Sequence, residues 1–400
     1  MRSLNAVEDF ILEGWLPPEP FITPEMKVTA FGSCFAEHIS NYLNARNYTI
    51  LTKSDANAYV VHMGEGMVNS YAIRQQFDWA FRGLAPTTGL WHGYQAEQYD
   101  YDENVRRTTL DLFEQTDVFI LTFGLSEVWY DEPTGEVFWR AVPADVYDPE
   151  RHKFRVTTVA ENTNNMRAVY DTIREFRPDA RIIFTLSPIP LLATFRPVSC
   201  IAANAVSKAV LRAAIDELHR EVAAEGKLFY WPSYDIVEQA FGAGRYKSDR
   251  RHVHERILDY VMALFETHYC AGSAPTVPLL EARLVAMDAA GDISDGVLSA
   301  ARARNPRALS SWVRGRLAED DLETAELVLV YSVSLHPTDR VRLELLDRVR
   351  HTQPRQQDSR STKMKLAVGT HVPERARPLA RRVKRKMDVL IVRVREHIRS

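Results

Sequence analysis

Four hundred residues, 46% hydrophobic and 26% charged, make a chain long enough for two domains and able to bury a sizeable core. Its net charge of −3 is uneven: residues 374–400 carry ten Lys/Arg against three Asp/Glu, which leaves −10 for the rest and argues against a nucleic-acid binder. Cys34, Cys200 and Cys270 are too scattered for a disulfide framework or a metal site, and no signal-like or membrane-length apolar run stands out, so a cytoplasmic protein without a cofactor is expected.

Short apolar runs alternate with helical patterns from about residue 27 to 267. The run "KVTAFG" (27–32) leads into "FAEHISNYLNAR", where Phe35, Ile39 and Leu43 recur at helical spacing. Further strands are expected at "YTILT" (48–52), "DVFILTFG" (117–124), "RIIFTLSP" (181–188) and "LFYWPS" (228–233), with helices between them. Continuous apolar strands separated by helices predict a parallel sheet covered on both faces, an α/β three-layer sandwich. Such sheets bind ligands in the crevice beyond the carboxyl ends of the strands. Gly32, Ser33, Cys34, Gly124 and Ser187 all fall at those ends.

An insertion after the third strand contains "DEPTGEVFW", read as a hairpin around Thr134 and Gly135 on the site side of the sheet. Its aromatics, Trp129, Tyr130, Phe138 and Trp139, could stack on a sugar or hold the hairpin itself. The domain expected at 1–270 is followed by a helical region at 275–351. There Ala325, Leu329 and Pro337, with Pro306 31 residues before Pro337, resemble a degenerate tetratricopeptide hairpin. Residues 352–373 read as a flexible linker. In 374–400, Leu379, Val383, Met387, Leu390, Val394 and Ile398 line one face of a basic amphipathic helix. An anionic membrane surface, placing the protein at the inner membrane face, and a protein partner are both open for that helix.

The chemistry concentrates in "VTAFGSCFAEHIS" (28–40), where two nucleophile types, Ser33 and Cys34, stand at a strand-to-helix turn. A helix N-terminus favours a thiolate over a thiol. The histidine best placed to serve as base is His252, three residues after Asp249 in "SDRRHVHERIL". An Asp-x-x-His step lets the carboxylate hold one ring nitrogen while the other faces a nucleophile. The competing reading of "DRRHVH" is a solvated surface cluster. His254 points elsewhere on this spacing, Ser187 shapes the crevice wall, and Cys200 and Cys270 pack as small apolar groups.

"FGSCFAEHI" resembles the signature of the GSCFA family, a group allied to the SGNH hydrolases, and the likeness covers roughly residues 25–267. The resemblance implies a flavodoxin-like strand order and a Gly-Asp-Ser turn after the first strand. It further implies an Asn loop after the third strand and Asp-x-x-His near the domain's end. Carried onto this sequence, Cys34 takes the nucleophile's place and Ser33 the aspartate's, with Ser33 as the alternative nucleophile. "FGLSE" lacks the loop Asn, so Ser126, beside Gly124, is the candidate oxyanion donor there. In "HMGEGMVNSYAI" (62–73) the backbone of Gly66 and the side chain of Asn69 are further candidates, whereas Gly64 reads as a plain turn. The implied function is a hydrolase or O-acyltransferase acting on oxygen esters, with a small-molecule or carbohydrate ester as substrate. The alternative, favoured by the missing Asn and the helical appendage, is a binding or scaffold protein of surface-polysaccharide assembly without turnover.

Overall fold

The structure is a computed structural model that describes residues 6–85, 102–144, 146–272, 279–293 and 296–352. The expected linker from residue 353 onward and the basic helix at 374–400 lie outside the described residues. Contacts divide the chain into two units, Met1–Leu346 and Asp347–Ser400, and the first holds the sheet and the site described below.

In chain order the first unit runs β1 (Lys27–Phe31), α1 (Cys34–Asn44), β2 (Thr49–Ile50), α2 (Tyr59–His62), α3 (Ser70–Arg82) and α4 (Glu103–Gln115). It continues with β3 (Val118–Phe123), β4 (Glu127–Asp131), β5 (His152–Val156), α5 (Val159–Phe176), β6 (Arg181–Leu186) and α6 (Cys200–Val222). Then come β7 (Leu228–Trp231), α7 (Ser233–Ala240), α8 (Glu255–Tyr269), α9 (Leu279–Ala289), α10 (Val297–Arg302), α11 (Arg307–Ala318) and α12 (Leu322–Leu335). A last described helix, α13, spans Arg340–Thr352.

Five strands form one sheet in the order β2-β1-β3-β6-β7, every neighbour parallel. Counting sheet strands alone, this is the 2-1-3-4-5 order of flavodoxin-like folds, whose crevice opens between the first and third strands. All six residues of β3 are buried, as a central strand covered on both faces requires. Its Phe119, Leu121 and Phe123 enter a core shared with α3, α4, α5 and α6. There Phe77, Phe113 and Phe119 pack with ring centroids 4.7–5.6 Å apart. Helices α1 and α7 pack on the sheet, and α8 packs against both, to complete the α/β sandwich.

The expected second strand shrinks to Thr49–Ile50 and turns at once into a short 3-10 segment at Leu51–Lys53. The insertion also differs from a simple hairpin. The Asp131–Val137 turn, with Gly135 at φ 72°, forms a single bridge between Tyr130 and Val137. The main partner of β4 is β5, which returns antiparallel after the strap 138–151. Beyond the sheet, α9 packs along α8, and α10 and α11 pack on α12, burying Ala325 and Leu329. Among the described residues no helix is long and apolar enough to cross a membrane.

Candidate active site

Gly32 begins the site because β1 must turn sharply beside β3. Its φ is +125°, and a Cβ there would land on the Thr122 carbonyl. Only glycine meets both conditions. Its N–H donates to the Gly64 carbonyl at 2.9 Å, which fastens the turn to the segment after β2. Ser33 is the N-cap of α1: its Oγ accepts from Phe35 N–H at 3.1 Å. Cys34 is the first helical residue, where backbone N–H groups lack intrahelical acceptors, and its side chain is exposed.

That thiol opens on a cleft of about 590 Å³ at the carboxyl ends of β1, β3 and β6, the position expected for this strand order. Ser33, Cys34, Gly124, Leu125 and Ser187 form the floor. The ribbon contributes Trp129 and Phe154, its strap contributes Phe138 to Pro143, and the loop after β6 contributes Ile189 to Ala193 and Phe195. Phe138 and Trp139 are buried, and Trp139 Nε1 donates to Gln75 Oε1 at 2.6 Å, so these two rings hold the strap.

Of the residues expected to donate to an oxyanion, Gly66, Asn69 and Gly124 border the cleft. Their donors are already engaged. Gly66 N–H donates to Met63 O at 2.9 Å, and Gly124 N–H to Val68 O at 2.7 Å. Asn69 caps α3 by accepting from Ala72 N–H at 2.9 Å, while its Nδ2 donates to the carbonyls of Phe138 and Trp139, each at 3.3 Å. Ser126 is fully buried and is not among the cleft-lining residues, and its hydroxyl has no hydrogen-bond partner. The Arg140 guanidinium lies against Gly66 where a side chain would otherwise go, on the cleft wall.

Asp249 and His252 form the expected pair. His252 Nδ1 and Asp249 Oδ2 lie 2.5 Å apart, and Asp249 Oδ1 accepts from the N–H groups of Arg251 and His252, both at 2.9 Å. These bonds, the imidazole's first, hold the Asp249 carboxyl well below the usual carboxylate range. An ionised carboxylate only accepts, so Nδ1 carries the hydrogen, and in the neutral ring Nε2 is then the acceptor. The turn is locked by Lys247 N–H to His252 O at 2.8 Å and by Arg250 at φ 55°. Both side chains are about half exposed, and neither lines the cleft. Arg251 between them does, and its Nη1 stands 3.3 Å from His252 Nε2.

Residues 27–265 match the GSCFA family. The chain belongs to the GSCFA family. No curated protein and no solved structure matches it.

The site of this GSCFA chain also uses residues that the sequence reading passed over. Lys208, on the buried face of α6, is fully enclosed and donates to the carbonyls of Gly124 (2.8 Å), Ser187 (2.7 Å) and Ile189 (2.9 Å). One ammonium therefore ties the ends of β3 and β6 together under the cleft. Desolvation lowers its pKa to about 7, with Glu238 pulling the other way. The signal was present, since Lys208 falls among Ala203, Ser207, Leu211, Ala214, Ile215 and Leu218, where the helical period demands burial. Arg140 and Arg251 carried no such signal, because only the tertiary fold brings them to the cleft.

Proposed function

We propose that this GSCFA chain is an acyl-transfer enzyme working on oxygen esters through a covalent thioester at Cys34, with a carbohydrate ester as the substrate class. One observation carries the reading. The exposed thiol at the start of α1 opens on the same cleft that Arg251 lines from within the Asp249–His252 turn. In the first step the Cys34 sulfur attacks the acyl carbonyl, its proton passes to His252 Nε2, and the ester C–O bond breaks as that proton reaches the departing alkoxide. In the second, water or a sugar hydroxyl gives its proton to the imidazole and attacks the thioester, and as the C–S bond breaks the imidazolium returns that proton to the Cys34 sulfur. Asp249 keeps Nε2 as the acceptor in both steps. For the ring to reach sulfur, the Arg251 guanidinium now facing Nε2 swings aside, and it is then available to the developing oxyanion together with the first-turn amide of Cys34. Ser33, as the helix cap, supports the turn.

A binding role without turnover draws on a specific observation too: the amides of Gly66, Gly124 and Asn69 are all engaged. Iodoacetamide labelling and hydrolysis of an acetyl ester separate the two. Labelling at Cys34 that is fast in the wild type and slow in His252→Ala, with ester turnover falling roughly 10²–10⁴-fold in that variant and lost in Cys34→Ala, supports catalysis. Equally slow labelling of Cys34 and Cys200, with no turnover, supports binding alone. Cys270, buried and with its thiol pushed up to about 12 by desolvation, is the internal control that stays unlabelled.

A further inference from the structure

We infer that the cleft holds a straight saturated acyl chain, laid along Trp129, Phe154 and the loop 189–195 with its carbonyl end at Cys34. The inference rests on the acyl-transfer reading and names the acyl class that it serves.

Two independent observations carry it. The first is that three polar side chains of the cleft, those of Asn69, Glu127 and Ser187, are turned to the protein's own use, while Glu65, Arg140 and Arg251 also line it. Asn69 holds the strap, and both Glu127 oxygens accept from the Thr194 hydroxyl at 2.9 Å. Ser187 Oγ accepts from Ile189 N–H at 3.3 Å. Side chains committed in this way do not read a ligand, and a chain of methylenes needs no such reading. Beside them runs a ring wall: Phe195 lies edge-on to Trp129 at 4.8 Å and 5.5 Å from Phe154.

The second observation is that apolar side chains stand in water at the cleft mouth and are held there. Leu192 is 74% and Phe195 57% exposed. The loop that carries them is pinned by Thr194 to Glu127 and by Leu191 N–H to Asn204 Oδ1 at 3.0 Å. The Cys200 thiol donates to Leu191 O at 3.4 Å, and Pro188, Pro190 and Pro197 stiffen the segment further. A loop so fixed cannot bury its own apolar surface by collapse, and a ligand chain beside the nucleophile would cover it.

Titration of the full chain with saturated carboxylates from butanoate to dodecanoate, below their micelle concentrations, tests this in wild type and in Cys34→Ala. Affinity is expected to rise about fourfold per methylene until the wall is covered, equally in both proteins. Phe195→Asp and Leu192→Asp, at exposed positions that the fold tolerates, should each weaken decanoate tenfold or more. Phe10→Asp, 70% exposed and away from the cleft lining, should leave it unchanged. Affinity that is flat with chain length, or the same loss in Phe10→Asp as in Phe195→Asp, overturns the inference. The two readings fail separately. A length ladder without ester turnover removes the chemistry and keeps the chain site. Turnover of an acetyl ester without a ladder removes the chain site and keeps the chemistry.

Discussion

Gly32 has no room for a side chain: a Cβ would meet the Thr122 carbonyl, and the backbone already sits at φ +125°. Gly32→Ala therefore must either move β3 or distort the turn that presents Cys34. It is expected to lower the unfolding free energy by about 3 kcal/mol or more, read from the urea midpoint. A midpoint within error of wild type would mean that the turn relaxes freely. The next two letters of the turn were legible in the sequence because their roles are local: a serine before a helix caps it, and the residue after it leads the helix. The roles of Gly66, Asn69 and Ser126 were not, because each depends on a distant partner. Those partners are the Arg140 guanidinium for Gly66, the Phe138 and Trp139 carbonyls for Asn69, and Ser207 and Thr157 around Ser126.

Among the elements, α6 does more than cover the sheet, since Lys208 reaches from it to three carbonyls at two strand ends. Lys208→Met removes three donors and leaves three buried acceptors, an expected loss of about 3 kcal/mol or more. The difference should depend on pH. Unfolded chain keeps the lysine proton up to its ordinary value near 10.5, while the folded chain keeps it only to about 7. Between those values unfolding takes up a proton, so rising pH favours the fold through this group. Wild type should gain on Lys208→Met from pH 7 to pH 9 in urea titrations, and a gap that narrows with pH would contradict this account. The elements themselves were largely readable, because β3, β6 and β7 are short apolar runs bounded by turn residues, with helices between them as expected. The β4–β5 ribbon was not, because its register is set across the intervening strap rather than by a local turn signal.

For the whole molecule, alternation of strand and helix predicted a covered parallel sheet, and the order β2-β1-β3-β6-β7 agrees with the order that the family resemblance implied. The helices after residue 279 belong to the same compact unit as the sheet, joined through α8 and α9. A boundary near 270 marks a change of pattern along the chain, where strands cease, more than a division of contacts. Charge is also a property of the whole chain. With +7 in residues 374–400 against −10 elsewhere, the full chain is expected to sediment with anionic vesicles at low salt and to be released as salt rises. A chain ending at residue 373 should stay in the supernatant, and equal sedimentation of both would refute membrane attraction through that segment.

Asn69 joins two parts of the cleft wall. The same carboxamide starts α3 and grips the strap at Phe138 and Trp139, so that side of the cleft cannot lift without fraying a helix. Leu192 and Phe195 of the same cleft lining stand in solvent instead. The cleft thus pairs a wall tied to a helix cap with a greasy, solvent-facing lip.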